Sequence, residues 1–312
     1  NVEKYIERCA ESLFGQTLKE VEYIFVNDCT PDKSIDILNA VIERYPERKS
    51  HIKIINHEKN RGLAAGRNTG LEIASGEYIF HCDSDDCVDV TFCEKMYNTA
   101  IEKNADIVWC DIYESDGNNN ILKAESFVED REQCIKLMLS YTMKWNIWNK
   151  IFRRSLYIEN DIKELEGNNL GEDLITIKLF FFAHKVAYCP QGLYYYNTQN
   201  TSSYTNYNNI TTHYEEVIKN VNSLTEFLIA NDISKMLDKE IDYLQLWIKN
   251  SILARLVSRK TIKQYCNMFP QANKSILNYE KLNIFAKIRL IMAKYGCVNL
   301  IKFYNYLLCL FR

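Results

Sequence analysis

Apolar residues recur at helical spacing almost from the first position. Val2, Tyr5, Ile6, Cys9 and Leu13 share one face, which predicts an amphipathic helix. Val21–Val26 reads as a strand with Asn27-Asp28 at its end, and Thr30-Pro31 supplies an N-cap and a helix-starting proline. Ile37, Leu38, Val41, Ile42 and Tyr45 carry the helix that follows, and His51–Asn56 is a short strand. Asn60–Gly70 predicts a Gly/Asn-rich loop that runs into a helix through Leu71 and Ala74. Tyr78, Ile79, Phe80 and Cys82 form an apolar run that stops at Asp83-Ser84-Asp85-Asp86. A helix around Met96–Lys103 and a strand Asp106–Ile112 complete the rhythm. Strands alternating with helices imply crossover units and an α/β, largely parallel, doubly wound sheet.

Beyond Gly117 the pattern changes. A polar run at Asn118–Asn120, a helix near Gln133–Leu139 and a segment bounded by Trp145 and Trp148 lead to Asn149-Lys150. A loop with Gly167 and Gly171 delivers Glu172-Asp173 to a helix through Ile175, Leu179 and Phe182. Val186–Tyr196 reads as a tyrosine-rich strand or hairpin. From His213 onward the spacing is helical, over Val217–Ile229 and Ile233–Val257 and then in shorter pieces.

Bulk numbers narrow the class. The 312 residues carry a formal net charge of −3 and are 47% hydrophobic, an ordinary globular composition. Eleven cysteines lie scattered without a Cys-x-x-Cys pair, which argues against a disulfide framework or zinc site and for a reducing cytoplasm. No run reaches the roughly 18 apolar residues that a spanning helix needs. Nothing in the composition predicts a nucleic-acid partner. Residue 1 is Asn and an amphipathic helix opens at once, so a strand is expected ahead of it.

Charge is unevenly placed. Lys281–Arg312 holds six Lys or Arg and no acid, while the other 280 residues hold 32 basic and 41 acidic side chains. Ile284, Ile288, Ile291, Met292 and Tyr295 repeat at helical spacing there, as do Leu300, Tyr304, Leu307, Leu308 and Phe311. A basic amphipathic helix of this kind is a candidate for peripheral contact with an anionic membrane surface; the alternative is a docking helix with solvated lysines.

Candidate chemistry concentrates where the third strand ends. Carboxylates crowded at a strand terminus repel unless a cation neutralises them or one keeps a proton. The hard oxygens of Asp83, Asp85 and Asp86 suit Mg²⁺ or Mn²⁺, which take one or two protein carboxylates and fill the remaining positions with water and phosphate. The bland alternative is a solvated acidic turn that caps the next helix.

Five fragments occur together: Val26-Asn27-Asp28-Cys29-Thr30-Pro31-Asp32-Lys33-Ser34; Asn60-Arg61-Gly62 with Gly66-Arg67-Asn68-Thr69-Gly70; Gly76-Glu77-Tyr78-Ile79; Asp83-Ser84-Asp85-Asp86; and Gly171-Glu172-Asp173-Leu174. In this order and rough spacing they resemble the family 2 glycosyltransferases, inverting enzymes of the GT-A fold. The resemblance implies a nucleotide-sugar-binding and catalytic domain over residues 1–205 and a helical region with the basic tail over 206–312. It implies Asp28, Arg67 and Asp83 as nucleotide-binding residues, Asp85 and Asp86 at a divalent metal, and Asp173 as general base. Glu172, Trp148 and Lys150 are further candidates at the sugar or acceptor. Asn197 stands where family members carry an arginine, before a serine loop at Ser202-Ser203. The implied reaction moves a sugar, from a UDP-sugar, to a saccharide or lipid-linked acceptor in surface-polysaccharide assembly at the inner face of the membrane. Two other readings stay open: a metal-dependent nucleotidyltransferase, which needs the same carboxylate–metal–phosphate chemistry, and a non-catalytic sugar-nucleotide-binding protein.

Overall fold

A computed structural model describes residues 1–166, 172–200, 210–233, 235–255 and 258–310. They divide into two compact units, Asn1–Ile135 with Met143–Glu216 and Lys136–Thr142 with Val217–Arg312. The chain runs α1 (Ile6–Phe14), β1 (Tyr23–Asn27), α2 (Ser34–Ile42), β2 (Ile52–Asn56), α3 (Leu63–Ile73), β3 (Tyr78–Phe80), β4 (Cys87–Val88) and α4 (Phe92–Lys103). It continues through β5 (Ile107–Ser115), β6 (Asn120–Lys123), α5 (Arg131–Leu139), β7 (Lys150–Arg153), α6 (Arg154–Glu159), α7 (Glu172–Phe182) and β8 (Val186–Asn197). Then come α8 (Ile210–Ala230), α9 (Asp238–Arg255), α10 (Arg259–Cys266), α11 (Ile284–Lys294) and α12 (Val298–Leu310).

The α/β layout follows the alternation in the sequence, with two differences in detail. First, the sheet is mixed. β1 and β2 form a parallel pair with Tyr23 opposite Ile52 and Asn27 opposite Asn56. A second sheet has the order β3-β7-β5-β8-β4, with β6 on β5, and only β5 and β8 run parallel in it. α5 lies between β6 and β7, yet β7 runs antiparallel to both of its neighbours, β3 and β5. Second, Gly66, Arg67 and Gly70 lie inside α3 rather than in the expected loop, because the helix starts at Leu63.

β5 is the centre of this unit, its Ile107, Val108, Trp109 and Cys110 fully buried. Strands pair it on either side, and buried Asp111, next along the strand, is satisfied by the Glu125 N–H at 2.8 Å and by the Tyr188 hydroxyl. β8 follows β5 until Cys110 pairs Cys189, then skips Pro190 and Gln191 so that Asp111 meets Gly192. A proline without an N–H suits such a bulge. Gly192 has no alternative: a Cβ would lie 2.5 Å from the Tyr113 ring. After the bulge β8 also pairs β4, with Tyr194 opposite Val88 and Tyr195 opposite Cys87. That pairing carries Tyr194 and Asn197 to the acidic turn.

α1 buries Ile6, Cys9, Ala10, Leu13 and Phe14, and Leu38, Val41 and Ile42 of α2 join the same core. Buried Arg48 secures the turn after α1. Its guanidinium donates to the carbonyls of Phe14 at 3.2 Å, Lys19 at 2.9 Å, Leu18 at 3.0 Å and also Gln16.

In the second unit α9 presents buried Asp242, Gln245 and Lys249 along one face. Ser275 donates to Asp242 at 2.6 Å, Gln271 donates to Gln245 at 2.9 Å, and Lys249 donates to Asn273 at 3.3 Å. α11 and α12 form a helical hairpin fastened by buried Arg289, which donates to Asn305 at 2.8 Å and to Asn250 of α9 at 2.6 Å. Among the described residues no helix is long and apolar enough to cross a membrane.

Candidate active site

β3 ends in a tight turn in which the Asp86 N–H donates to the Asp83 carbonyl at 3.1 Å. The three carboxylates leave it in different directions. Asp83 Oδ1 meets Arg67 Nη2 at 2.9 Å. Asp85 Oδ2 accepts from Asn200 Nδ2 at 2.7 Å, and its carbonyl accepts from Asn197 Nδ2 at 3.2 Å. Asp86 turns inward and is 1% exposed, accepting from the Tyr194 hydroxyl at 2.7 Å and the Asn197 N–H at 2.7 Å. Burial, then the Asp83 charge, pushes the Asp86 carboxyl up to about 8 despite those two bonds. One member of the cluster thus keeps its proton at neutral pH, which relieves the crowding of like charges.

Arg67 comes from the second turn of α3. Its side chain is 8% exposed and reaches Asp83 on one side and Glu164 at 3.3 Å on the other, where Glu164 is 4% exposed. Asn68 fixes the same loop: its Nδ2 donates to the Glu164 carbonyl at 2.8 Å and its Oδ1 accepts the Glu164 N–H at 2.9 Å. His81 lies close by with Nε2 3.2 Å from the Tyr157 hydroxyl. Burial and the neighbouring Arg67 charge push it down to about 3, so it is neutral.

Asp28, at the end of β1, organises the start of α3. Oδ1 meets His57 Nδ1 at 2.7 Å and the Arg61 N–H at 2.8 Å, while Oδ2 accepts the Gly62 N–H at 2.7 Å. Asn60 Nδ2 donates to the Asp28 carbonyl at 3.0 Å. Burial pushes this carboxyl up, but the bonds from His57, Arg61 and Gly62 outweigh it and hold the group below its usual range. A carboxylate has about four lone-pair sites, so these three contacts leave room for one more donor.

Trp148 and Lys150 sit in the interior. Trp148 stacks against Tyr194, at 4.5 Å between centroids, and Tyr196, at 5.3 Å. Lys150 is 0% exposed and donates to the Asn146 carbonyl at 2.6 Å and Asn149 Oδ1 at 2.8 Å. Glu172 and Asp173 open α7, and their side chains lie outside the described residues, as do Ser202 and Ser203. Among the described residues no three His, Cys, Asp or Glu side chains are grouped to hold a metal ion. Sequence reasoning missed Glu164 and His57.

Known proteins can now be set beside this geometry. The sequence model described as "Glycosyl transferase family 2" matches residues 1–165. The chain is 33% identical over 213 residues to an uncharacterized glycosyltransferase, EpsJ, of Bacillus subtilis, covering 66% of this chain and 60% of that protein. It is 30% identical over 218 residues to the cholesterol galactosyltransferase of Borreliella burgdorferi, covering 65% and 59%. It therefore spans less than two thirds of these relatives' length. S. aureus TarS 1-349 in complex with UDP-GlcNAc superposes with a TM-score of 0.72 at 20% identity, over 98% of this chain and 88% of that one. The mannosyltransferase PcManGT of Pyrobaculum calidifontis, in complex with GDP-Man and Mn²⁺, gives 0.53 at 12% identity over 97% and 84%. This chain shares the GT-A fold of TarS, and since the family model matches residues 1–165 of its 312, more than half, it belongs to glycosyl transferase family 2.

Proposed function

We propose that the chain is an inverting, metal-dependent glycosyltransferase acting from a UDP-sugar on a saccharide or lipid-linked acceptor, with residues 1–205 as the catalytic part. The observation that carries this is the meeting of Arg67 with Asp83 at 2.9 Å, beside the half-buried Asp85. A cation suited to phosphate and Asp83, 16 residues apart in sequence, meet at the strand end where Asp85 offers a carboxylate suited to a metal. The UDP and UDP-GlcNAc held by TarS support the donor class.

The donor set suits Mg²⁺ or Mn²⁺: Asp85, with Asp83, offers hard carboxylate oxygens, and such ions take only one or two of these beside phosphate. Asp86 serves as the inward anchor of the turn rather than as a ligand. The metal, when bound, supplies charge neutralisation for the departing diphosphate. Asp28 holds the loop at Arg61 and Gly62 and accepts the imide N–H of uracil. Asp173, in the first turn of α7, takes the proton from the acceptor hydroxyl.

Turnover of UDP-sugars is the test, measured as release of UDP with Mn²⁺ present. Asp85→Ala is expected to abolish it, and Asp173→Asn to lower it roughly 10²–10⁴-fold while UDP still raises the melting temperature. Pyrophosphate release from a nucleoside triphosphate would favour a nucleotidyltransferase. Binding of UDP without any turnover would favour a non-catalytic role.

A further inference from the structure

α11 packs in an inverted manner. Its buried face is made of Ala286, Arg289, Leu290 and Ala293, while larger apolar side chains face outward. Ile284, Ile288, Ile291 and Tyr295 fall within a stripe about 60° wide at 3.6 residues per turn. Ile284, Ile288 and Tyr295 are exposed, Tyr295 by 72%. α12 repeats the arrangement: Ile301 and Asn305 are buried, and Leu300, Phe303 and Tyr306 are exposed on the opposite face. The two helices belong to one hairpin, joined through Arg289 and Asn305 and through the Tyr304 hydroxyl, which donates to the Phe285 carbonyl at 3.4 Å. Leu277, 70% exposed, extends the surface, since Lys287 Nζ donates to its carbonyl at 2.8 Å.

Basic side chains border these stripes. Lys287 and Lys294 are seven residues apart along one edge of the α11 stripe, Lys294 lies 5.7 Å from the Tyr295 ring centre, and Lys302 is exposed on α12. Not one Asp or Glu occurs from Lys281 to Arg312. Exposed tyrosines with an apolar body and a polar tip, and lysines whose stems lie along apolar surface, are what a lipid headgroup boundary accommodates. A protein partner would have to bring a complementary acidic face, whereas an anionic bilayer supplies one everywhere along its surface.

We propose that the α11–α12 hairpin docks on an anionic lipid surface, with the apolar stripes in the headgroup–acyl boundary and Lys287, Lys294 and Lys302 against phosphate headgroups. The full chain should float with phosphatidylcholine vesicles that contain phosphatidylglycerol, and added salt should weaken this. Lys287→Ala, Lys294→Ala and Lys302→Ala should each cost about fivefold in partitioning. Tyr295→Ser and Phe303→Ser should each cost about tenfold. Lys294, Tyr295, Lys302 and Phe303 are exposed and Lys287 is half-buried with its bond to the Leu277 carbonyl at the surface, so an unchanged far-UV circular dichroism spectrum is expected and confirms that the variants fold. Absence of flotation overturns the proposal. So does equal binding to vesicles of phosphatidylcholine alone that the lysine variants leave unaltered. A mass in solution that doubles with concentration and is lost in Phe303→Ser, without vesicle binding, overturns it in favour of a second copy of the chain. Failure on vesicles would leave the UDP-sugar reading standing, because UDP turnover reads a different unit.

Discussion

A guanidinium between two carboxylates stabilises most where water is kept out, and Arg67 meets that condition with Glu164 and Asp83 on either side. Removing one partner of a buried pair outright typically costs about 3 kcal/mol. Glu164→Ala leaves Arg67 its bond to Asp83, so it should lower unfolding free energy by less, about 1.5 kcal/mol in urea titration, and Glu164→Gln by less still. A loss under about 1 kcal/mol would put the contact among ordinary screened surface pairs. Of this constellation Arg67 and Asp83 were legible from the sequence, since each lies in a distinctive fragment. Glu164 was not, because Ile162-Lys163-Glu164-Leu165 looks like any mixed stretch. The inward turn of Asp86 was equally hidden: it depends on Tyr194 and Asn197, more than a hundred residues away, arriving on β8. Lys150 shows the same limit, being a lysine that the strand pairing of β7 takes fully inside.

α3 shows how packing overrides local preference. Glycine is a weak helix former, so Gly66 and Gly70 read as loop residues. In the fold they face β1, where a Cβ on Gly70 would meet Val26 and Ile24 methyls at 3.8 and 3.9 Å, ordinary contact distances. Gly70→Ala should accordingly be tolerated and raise stability by about 0.5–1 kcal/mol in thermal melts. Gly62 is different. It caps α3 at φ 89°, in the left-handed region, with its N–H on Asp28. Gly62→Ala should destabilise by about 1 kcal/mol or more and weaken UDP binding, because the loop that Asp28 holds would shift. The parallel β1–β2 pair agrees with the crossover rhythm, whereas the direction of β7 could not be read from it: a strand's direction is set by its partners, not by its own alternation.

Across the whole molecule, ionisable groups taken inside set how stability responds to pH. Burial pushes Lys249 down to about 8, while in the unfolded chain it would titrate near its ordinary value. Between those two values the unfolded chain holds the proton and the folded chain does not, so this residue makes stability rise as pH increases from about 8 to 10. Lys249→Met should remove that rise and raise stability at pH 7 by about 2 kcal/mol, allowing for the lost bond to Asn273. Denaturant titrations of both proteins at several pH values would decide it; an identical pH slope in the two would refute the assignment. Arg48 has a consequence of another kind. One side chain stands in for a stretch of secondary structure, gathering four carbonyls between Phe14 and Lys19 that belong to no ladder. Arg48→Gln should unlatch that stretch, and trypsin should then nick the otherwise intact chain after Lys19, so that a lone cut at that peptide bond becomes the fingerprint of the lost latch.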